Sequence, residues 1–118
     1  MRILGTIASS SREVPGAPTI GTATDIGSSR TYTPQNGGAS VTFTAPVYDG
    51  GLPITSYTAT SSPSGFTGTS ATSPITVNGL APSTSYTFTV TATNSRGTSA
   101  ASAASNSITA TTVPKHQQ

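Results

Sequence analysis

The side chains that could do acid–base chemistry are few in this 118-residue chain. They are three carboxylates and one histidine: Glu13, Asp25, Asp49 and His116. Hydrolysis of a glycosidic bond needs two carboxylates that flank that bond, whereas Asp25 and Asp49 lie in separate loops beside residues that favour turns. A serine nucleophile needs a histidine base held by its neighbours, whereas His116 lies in the C-terminal tail. The sequence therefore predicts a protein that is not an enzyme.

Metal, cofactor and nucleic-acid sites are not expected either. The chain contains no Cys, so thiolate metal sites and disulfides are excluded. Two isolated aspartates are too few for a calcium site, and no glycine-rich loop ends in Lys-Ser or Lys-Thr to bind phosphate. The five Lys and Arg residues are scattered and give a net charge of only +2, which does not favour nucleic-acid binding. No apolar stretch approaches the ~20 residues of a membrane-spanning helix.

Four side chains in predicted loops are candidates for contact with a partner. Arg30 and Tyr32 lie in a polar segment, residues 25–39, Tyr48 lies in the next loop, and Arg96 lies at the tip of an Asn-Ser-Arg-Gly turn. For Tyr32 the alternative is packing over the edge of the fold, and for Arg96 it is an ordinary hairpin turn. The loops of Tyr48 and Arg96 are expected to lie at the same end of the fold.

The strands that carry these loops are predicted from the alternation of polar and apolar residues. Thr and Ser fill 43 of the 118 positions, and Thr alternates with apolar residues in the manner of a half-buried strand. This pattern, with turn residues between segments, predicts an all-β sandwich of seven strands. We expect the last of them to be a weak or irregular edge, because it is rich in Ala and Ser. The outward Thr rows are interpreted as a solvated face, with a weakly sugar-binding surface as the alternative. The predicted strands are residues 18–24, 41–45, 54–60, 63–68, 74–78, 85–93 and 98–112.

Residues 79–94 resemble one corner and the following strand of a fibronectin type III domain, and residues 40–46, 54–59 and 97–102 resemble three other strands of that family. The spacing from Leu80 to Tyr86 is the most specific element. The resemblance implies an immunoglobulin-like sandwich in which the Tyr86 ring lies in the core and its hydroxyl donates to a buried backbone group upstream. Phe43 stands where the family usually has Trp. The Thr-, Ser- and Gly-rich composition also resembles the fibronectin type III modules of bacteriophage structural proteins.

The N-terminal residues lie outside the predicted sandwich. We divide the chain into an extended arm, residues 1–14, a sandwich, residues 15–112, and a tail, residues 113–118. Three apolar residues of the arm would be costly to leave in water, so we expect them to dock on another subunit. The alternative is an extra edge strand on the same domain. The docking residues are Ile3, Leu4 and Ile7.

These expectations combine into a non-enzymatic structural or adhesive module. An initial Met without a signal peptide, together with a fold typical of displayed interaction domains, favours a bacteriophage virion protein. It would decorate the capsid or form a tail or baseplate appendage, bound in many copies to other virion subunits through its arm, with weak contact to host-surface glycan. The alternative is an extracellular accessory module of a secreted polysaccharide-degrading enzyme or adhesin.

Overall fold

The computed structural model describes residues 12–26 and 37–111, and within these ranges the chain forms β-strands and no helix. One sheet has the order β1-β2-β5, and the other has the order β4-β3-β6-β7 with β8 also paired to β6. The predicted all-β sandwich is confirmed, and the seventh predicted strand is divided between β7 and β8. The strands are β1 (Thr19–Asp25), β2 (Gly37–Thr44), β3 (Ser56–Ser62), β4 (Thr67–Ser70), β5 (Ile75–Leu80), β6 (Ser85–Asn94), β7 (Gly97–Thr98) and β8 (Ile108–Thr109).

The core lies between the two sheets and is filled by alternate residues of both. β6 shows this most clearly, because buried and half-buried positions alternate from Tyr86 to Asn94. Phe43, in the place of the expected tryptophan, lies with its ring centroid 4.4 Å from that of Tyr57. Burial of these apolar side chains is the main stabilising contribution. The largest fully buried side chains are Val41, Ile75, Val77, Leu80, Tyr86, Phe88 and Val90.

The outward face of the second sheet is a field of hydroxyl groups. The register places Thr91 and Thr69 on either side of Thr58, and the Thr58 and Thr69 hydroxyls lie 3.4 Å apart. None of the strands β3, β4, β6 and β7 contains a charged residue. This arrangement matches the interpretation of the Thr rows as an outward face.

Polar side chains complete backbone pairing where the strands leave regular register. The pairing of β1 with β2 shifts between Ile20 and Ala23, and there the Thr42 hydroxyl oxygen accepts the Thr22 N–H at 2.8 Å. At the free edge of β1, the Asn106 amide accepts the Ala23 N–H at 2.9 Å and donates to the Ala23 carbonyl at 3.0 Å. Asn106 therefore pairs the outward backbone groups of Ala23 in place of another strand and interrupts this edge as a site for strand addition.

A serine ladder, defined as Ser99, Ser102 and Ser105, replaces the regular last strand. Each serine is buried, and each donates its backbone N–H to a carbonyl of β6 at 2.8–2.9 Å. Each serine hydroxyl oxygen accepts the N–H of the same β6 residue at 2.9–3.0 Å. The hydroxyl then donates to the carbonyl of the next residue in its own segment at 2.8 Å. The β6 partners are, in order, Ala92, Val90 and Phe88.

The ladder shows which form the expected weak or irregular last strand takes. The segment is irregular as a strand, as its composition indicated, but it is not weakly attached. The ladder segment advances by three residues for every two residues of β6. Side-chain oxygens therefore accept the β6 N–H groups that the backbone carbonyls of a regular strand would accept. The spacing of one serine in three residues is therefore a structural requirement of this edge.

The Tyr86 hydroxyl contacts the backbone upstream, but it plays the opposite role to the one expected. The Ala81 N–H donates to the Tyr86 hydroxyl oxygen at 2.9 Å, so the phenol accepts a hydrogen bond instead of donating to a carbonyl. The ring is 1% exposed and lies edge-on to Phe66, with centroids 6.1 Å apart. Tyr86 thus joins the loop after β5, which begins beyond Leu80, to the core.

Replacing Tyr86 by Phe is expected to lower the free energy of unfolding by about 1–2 kcal/mol, because the part-buried Ala81 N–H loses its acceptor. Denaturant unfolding measures the change. Tyr57→Phe is the matched control, because the Tyr57 hydroxyl has no hydrogen-bond partner among the described residues. Equal stability losses in the two variants would show that the Tyr86 hydroxyl contributes nothing specific.

Candidate functional site

The candidate site is the end of the sandwich where the described chain begins, which we call the N-terminal pole. It is formed by residues 12–16, the loop between β2 and β3 and the turn between β6 and β7. The last residue of β2 and the last residue of β6 both reach this end, and each is followed by a loop that turns back. The pole residues used below are Arg12, Glu13, Val14, Val47, Tyr48, Asp49, Gly50, Asn94 and Arg96.

Asn94 joins the three segments of the pole. It continues the inward positions of β6 and is 3% exposed. Its amide nitrogen donates to the Glu13 carbonyl at 2.7 Å and to the Asp49 carbonyl at 2.9 Å, and its amide oxygen accepts the Arg96 N–H at 2.8 Å. A buried primary amide is costly unless its groups are paired. Here the pairing fixes the position of both loops and of the incoming chain.

Gly50 permits the close approach of residue 13 to the loop. Its φ is +83°, in the left-handed region, and a Cβ at this position would collide with the Glu13 carbonyl oxygen and the Asn94 amide. Any other residue would therefore be strained both by its backbone conformation and by lack of space. The Glu13 N–H in turn donates to the Gly50 carbonyl at 2.8 Å.

Tyr48 forms a second connection between the loop and the incoming chain. Its hydroxyl donates to the Glu13 carboxylate at 2.7 Å, and its carbonyl accepts the Gly16 N–H at 2.9 Å. The hydrogen bond to the Glu13 carboxylate raises the pKa of the Tyr48 phenol above its ordinary value. Glu13 is therefore held by the sandwich, although the sequence analysis assigned residues up to 14 to the arm.

Apolar side chains remain exposed around these hydrogen bonds. Val47 is fully exposed at 107%, and Tyr48 and Val14 are 50% and 40% exposed. Val14 lies over the turn after β6, because a Cβ built on Gly97 would be 3.1 Å from its Cγ1 atom. We call these three exposed residues of the pole segments the pole patch. Ile26, the other large apolar residue that is exposed in the described ranges, lies beyond the far end of β1.

The predicted contact residues are placed as follows. Tyr48 and Arg96 are brought to the same end, because Asn94 bonds the loop of one and the turn of the other. Arg96 is exposed, and its guanidinium has no partner among the described residues. The remaining candidates lie outside the described residues: Arg30, Tyr32 and the arm residues Ile3, Leu4 and Ile7.

The two aspartates that were considered for chemistry lie at opposite ends of the sandwich. Asp25 is the last residue of β1, not a turn residue as expected, and its carboxylate accepts from the Thr111 hydroxyl at 2.8 Å. Asp49 follows β2 at the N-terminal pole, where its carboxylate accepts the Gly51 N–H at 2.8 Å. In residues 12–26 and 37–111, no three acidic, histidine or cysteine side chains are grouped as metal ligands. The described part of the chain also holds no helix long and apolar enough to cross a membrane.

Comparison with known proteins identifies the family. A family model, the fibronectin type III domain, matches residues 17–108. A structure of the titin kinase and its flanking domains is 27% identical with a TM-score of 0.66, over 83% of this chain and 17% of that one. Domains A168–A170 of titin are 26% identical with a TM-score of 0.67, over 81% of this chain and 32% of that one.

A single-domain structure matches more completely at lower identity. The fourth FNIII domain of a human protein, solved in solution, is 18% identical with a TM-score of 0.61, over 92% of this chain and 90% of that one. At this identity the likeness concerns the fold alone. The present chain spans less than a third of the length of each titin structure and most of the length of the isolated domain. No curated protein sequence is similar enough to count as a relative.

Proposed function

Since this chain belongs to the fibronectin type III family, we propose that it is a non-catalytic structural or adhesive module attached through its N-terminal pole and the residues that precede it. The observation that supports this proposal is the exposure of Val14, Val47 and Tyr48, the pole patch, at the end of the sandwich where the described chain begins. Several exposed apolar side chains at one end of a domain are candidates for contact with another molecule.

The sequence of the arm also favours the N-terminal pole as the attachment site. The core of the described residues is formed by side chains between Ala23 and Ala110, and the apolar arm residues Ile3, Leu4 and Ile7 are further apolar groups outside the described ranges. Fully burying each of these side chains would contribute roughly 1.5–3 kcal/mol. Ordering the arm backbone costs about 1–2 kcal/mol per residue, so attachment also needs backbone pairing or many copies acting together.

The assembly that we propose is a bacteriophage virion, with the module as a capsid decoration or a tail or baseplate appendage. The support is the resemblance of its charge-poor, Thr-rich composition to fibronectin type III modules of that kind. The hydroxyl face of β3, β4 and β6 would then point outward and make weak contact with host-surface glycan. The second candidate is an accessory module of a secreted enzyme or adhesin, and it is favoured by the titin matches, in which similar domains are parts of longer chains.

Particle composition tests the proposal. Purified virions of the source phage are expected to contain the full chain in many copies, whereas virions assembled with a chain lacking residues 1–11 are expected to lack it. Mass spectrometry of the particles measures both, and an Ile26→Ser chain, changed at the opposite end, is the control that should incorporate normally. Absence of the full chain from the particles would contradict the virion role, and a catalytic domain on the same polypeptide would favour the accessory module.

A further inference from the structure

We propose that Asn78 is a site of spontaneous covalent modification, at which the chain converts its own asparagine to aspartate and isoaspartate without an enzyme. Asn78 is followed by Gly79 in β5. The backbone nitrogen of Gly79 bonds to the side-chain carbonyl carbon of Asn78, and ammonia leaves with the proton of that nitrogen. The product is a cyclic succinimide, and water opens it at either of its carbonyls to give aspartate or isoaspartate.

The side-chain amide of Asn78 is free to react. The residue is exposed and lies between the buried Val77 and the half-buried Gly79, and its side chain has no hydrogen-bond partner among the described residues. An unpaired amide on the surface can rotate until its carbonyl carbon meets the backbone nitrogen of the next residue. Exposure also gives water access to the ring that forms.

The backbone departs from regular strand geometry at the residue whose nitrogen attacks. In the pairing of β5 with β2, Asn78 lies opposite Gly38. The next pair joins Leu80 to Gly37, so Gly79 is the extra residue of a β-bulge. Its φ is +85°, in the left-handed region that glycine adopts without strain. The bulge therefore interrupts the strand where the ring must close, and Gly79 has no side chain to obstruct the closure.

The other asparagines of the described ranges are held by their neighbours. Asn94 is 3% exposed, and its amide makes three hydrogen bonds. The Asn106 amide is paired with both backbone groups of Ala23. Each of these two asparagines is followed by Ser, whose side chain hinders ring closure. Asn36 also precedes a glycine, but it lies outside the described residues. Within the described ranges, Asn78 alone combines an unpaired amide with a following glycine.

Modification at this position alters both charge and packing. The new carboxylate lowers the formal net charge of +2 by one, on a sheet whose strands contain only Asp25 as a charged residue. Isoaspartate also adds one atom to the main chain between Val77 and Leu80, which are both fully buried. Because a protein core is closely packed, this addition displaces a core side chain. A chain that persists without turnover is therefore expected to accumulate a less stable form.

Peptide mapping by mass spectrometry tests the inference on the full chain, incubated in mildly alkaline buffer with and without guanidinium chloride. We expect Asn78 in the folded chain to convert at a rate within about tenfold of the rate in the unfolded chain, a difference in activation free energy of at most about 1.4 kcal/mol. Asn94 and Asn106 are internal controls that should keep their amides in the folded chain. If the folded-chain rate at Asn78 lies below that range, or is no faster than at the controls, the strand protects the site and the inference is wrong.

Urea unfolding of the modified chain tests the consequence for packing. The isoaspartate form is prepared from an Asn36→Gln chain, so that one Asn-Gly pair remains, and is separated by chromatography. It is expected to unfold at a lower urea concentration than the unmodified chain. Asn78→Asp in the same chain is the matched control, because it adds the carboxylate without lengthening the main chain, and it should keep the unmodified midpoint. Equal midpoints for the isoaspartate form and the control would contradict the effect of the added main-chain atom on the core.

Discussion

Replacing Ser99, Ser102 and Ser105 together by alanine is expected to abolish cooperative folding. Each substitution removes the oxygen that accepts a buried β6 N–H, and a buried group left without a partner costs about 1–3 kcal/mol. The three losses sum to about 3–9 kcal/mol, against the 5–15 kcal/mol that a typical domain has in total. Loss of the thermal transition in circular dichroism measures the effect.

A single variant keeps this prediction testable if the triple variant does not fold. Ser102→Ala is expected to lower the free energy of unfolding by about 1–3 kcal/mol, because the Val90 N–H loses its acceptor. Ala101→Ser and Ala104→Ser, at exposed positions of the same segment, are the matched controls and should change stability by less than about 0.5 kcal/mol. A Ser102→Ala variant as stable as these controls would mean that water replaces the hydroxyl.

Replacing Asn94 by alanine is expected to lower the free energy of unfolding by about 3 kcal/mol. The change removes two donated hydrogen bonds and one accepted bond, and it leaves their partners in a part-buried position, where each loss costs about 1 kcal/mol or more. Urea unfolding measures stability, and hydrogen exchange at the Glu13 N–H should speed up because the incoming chain is released. Ser95→Ala, at the exposed tip of the same turn, is the control; an Asn94→Ala variant equally stable to it would contradict the account of the pole.

Alternation made the two sheets predictable from the sequence. In β6 the Thr residues and the apolar residues take opposite faces without exception, so the strand and its buried face follow from the period of two. The serine ladder was not predictable in this way, because its period is three and its pairing uses side-chain oxygens. The spacing Ser99, Ser102, Ser105 was visible in the sequence, but nothing in the sequence alone shows that the serines face β6.

The candidate site was predictable only in part. The fold class places the loops of Tyr48 and Arg96 at one end, and this follows from the order of the strands. Glu13 was missed, because its bond to Asn94 joins residues 81 positions apart. Asn94 itself gave a signal that was not used: it occupies the inward position after Tyr86, Phe88, Val90 and Ala92, where a polar side chain needs buried partners.

The stability of two shortened chains tests most directly the claim that residues 1–11 serve attachment and that the sandwich is complete without them. The chain that begins at Arg12 is expected to match the full chain within about 0.5 kcal/mol in urea unfolding. The chain that begins at Pro15 is expected to lose about 1–3 kcal/mol, because Asn94 and Gly50 lose their partners on Glu13. If the chain that begins at Arg12 instead unfolds or loses as much as the shorter one, residues 1–11 are part of the fold and the attachment account is wrong.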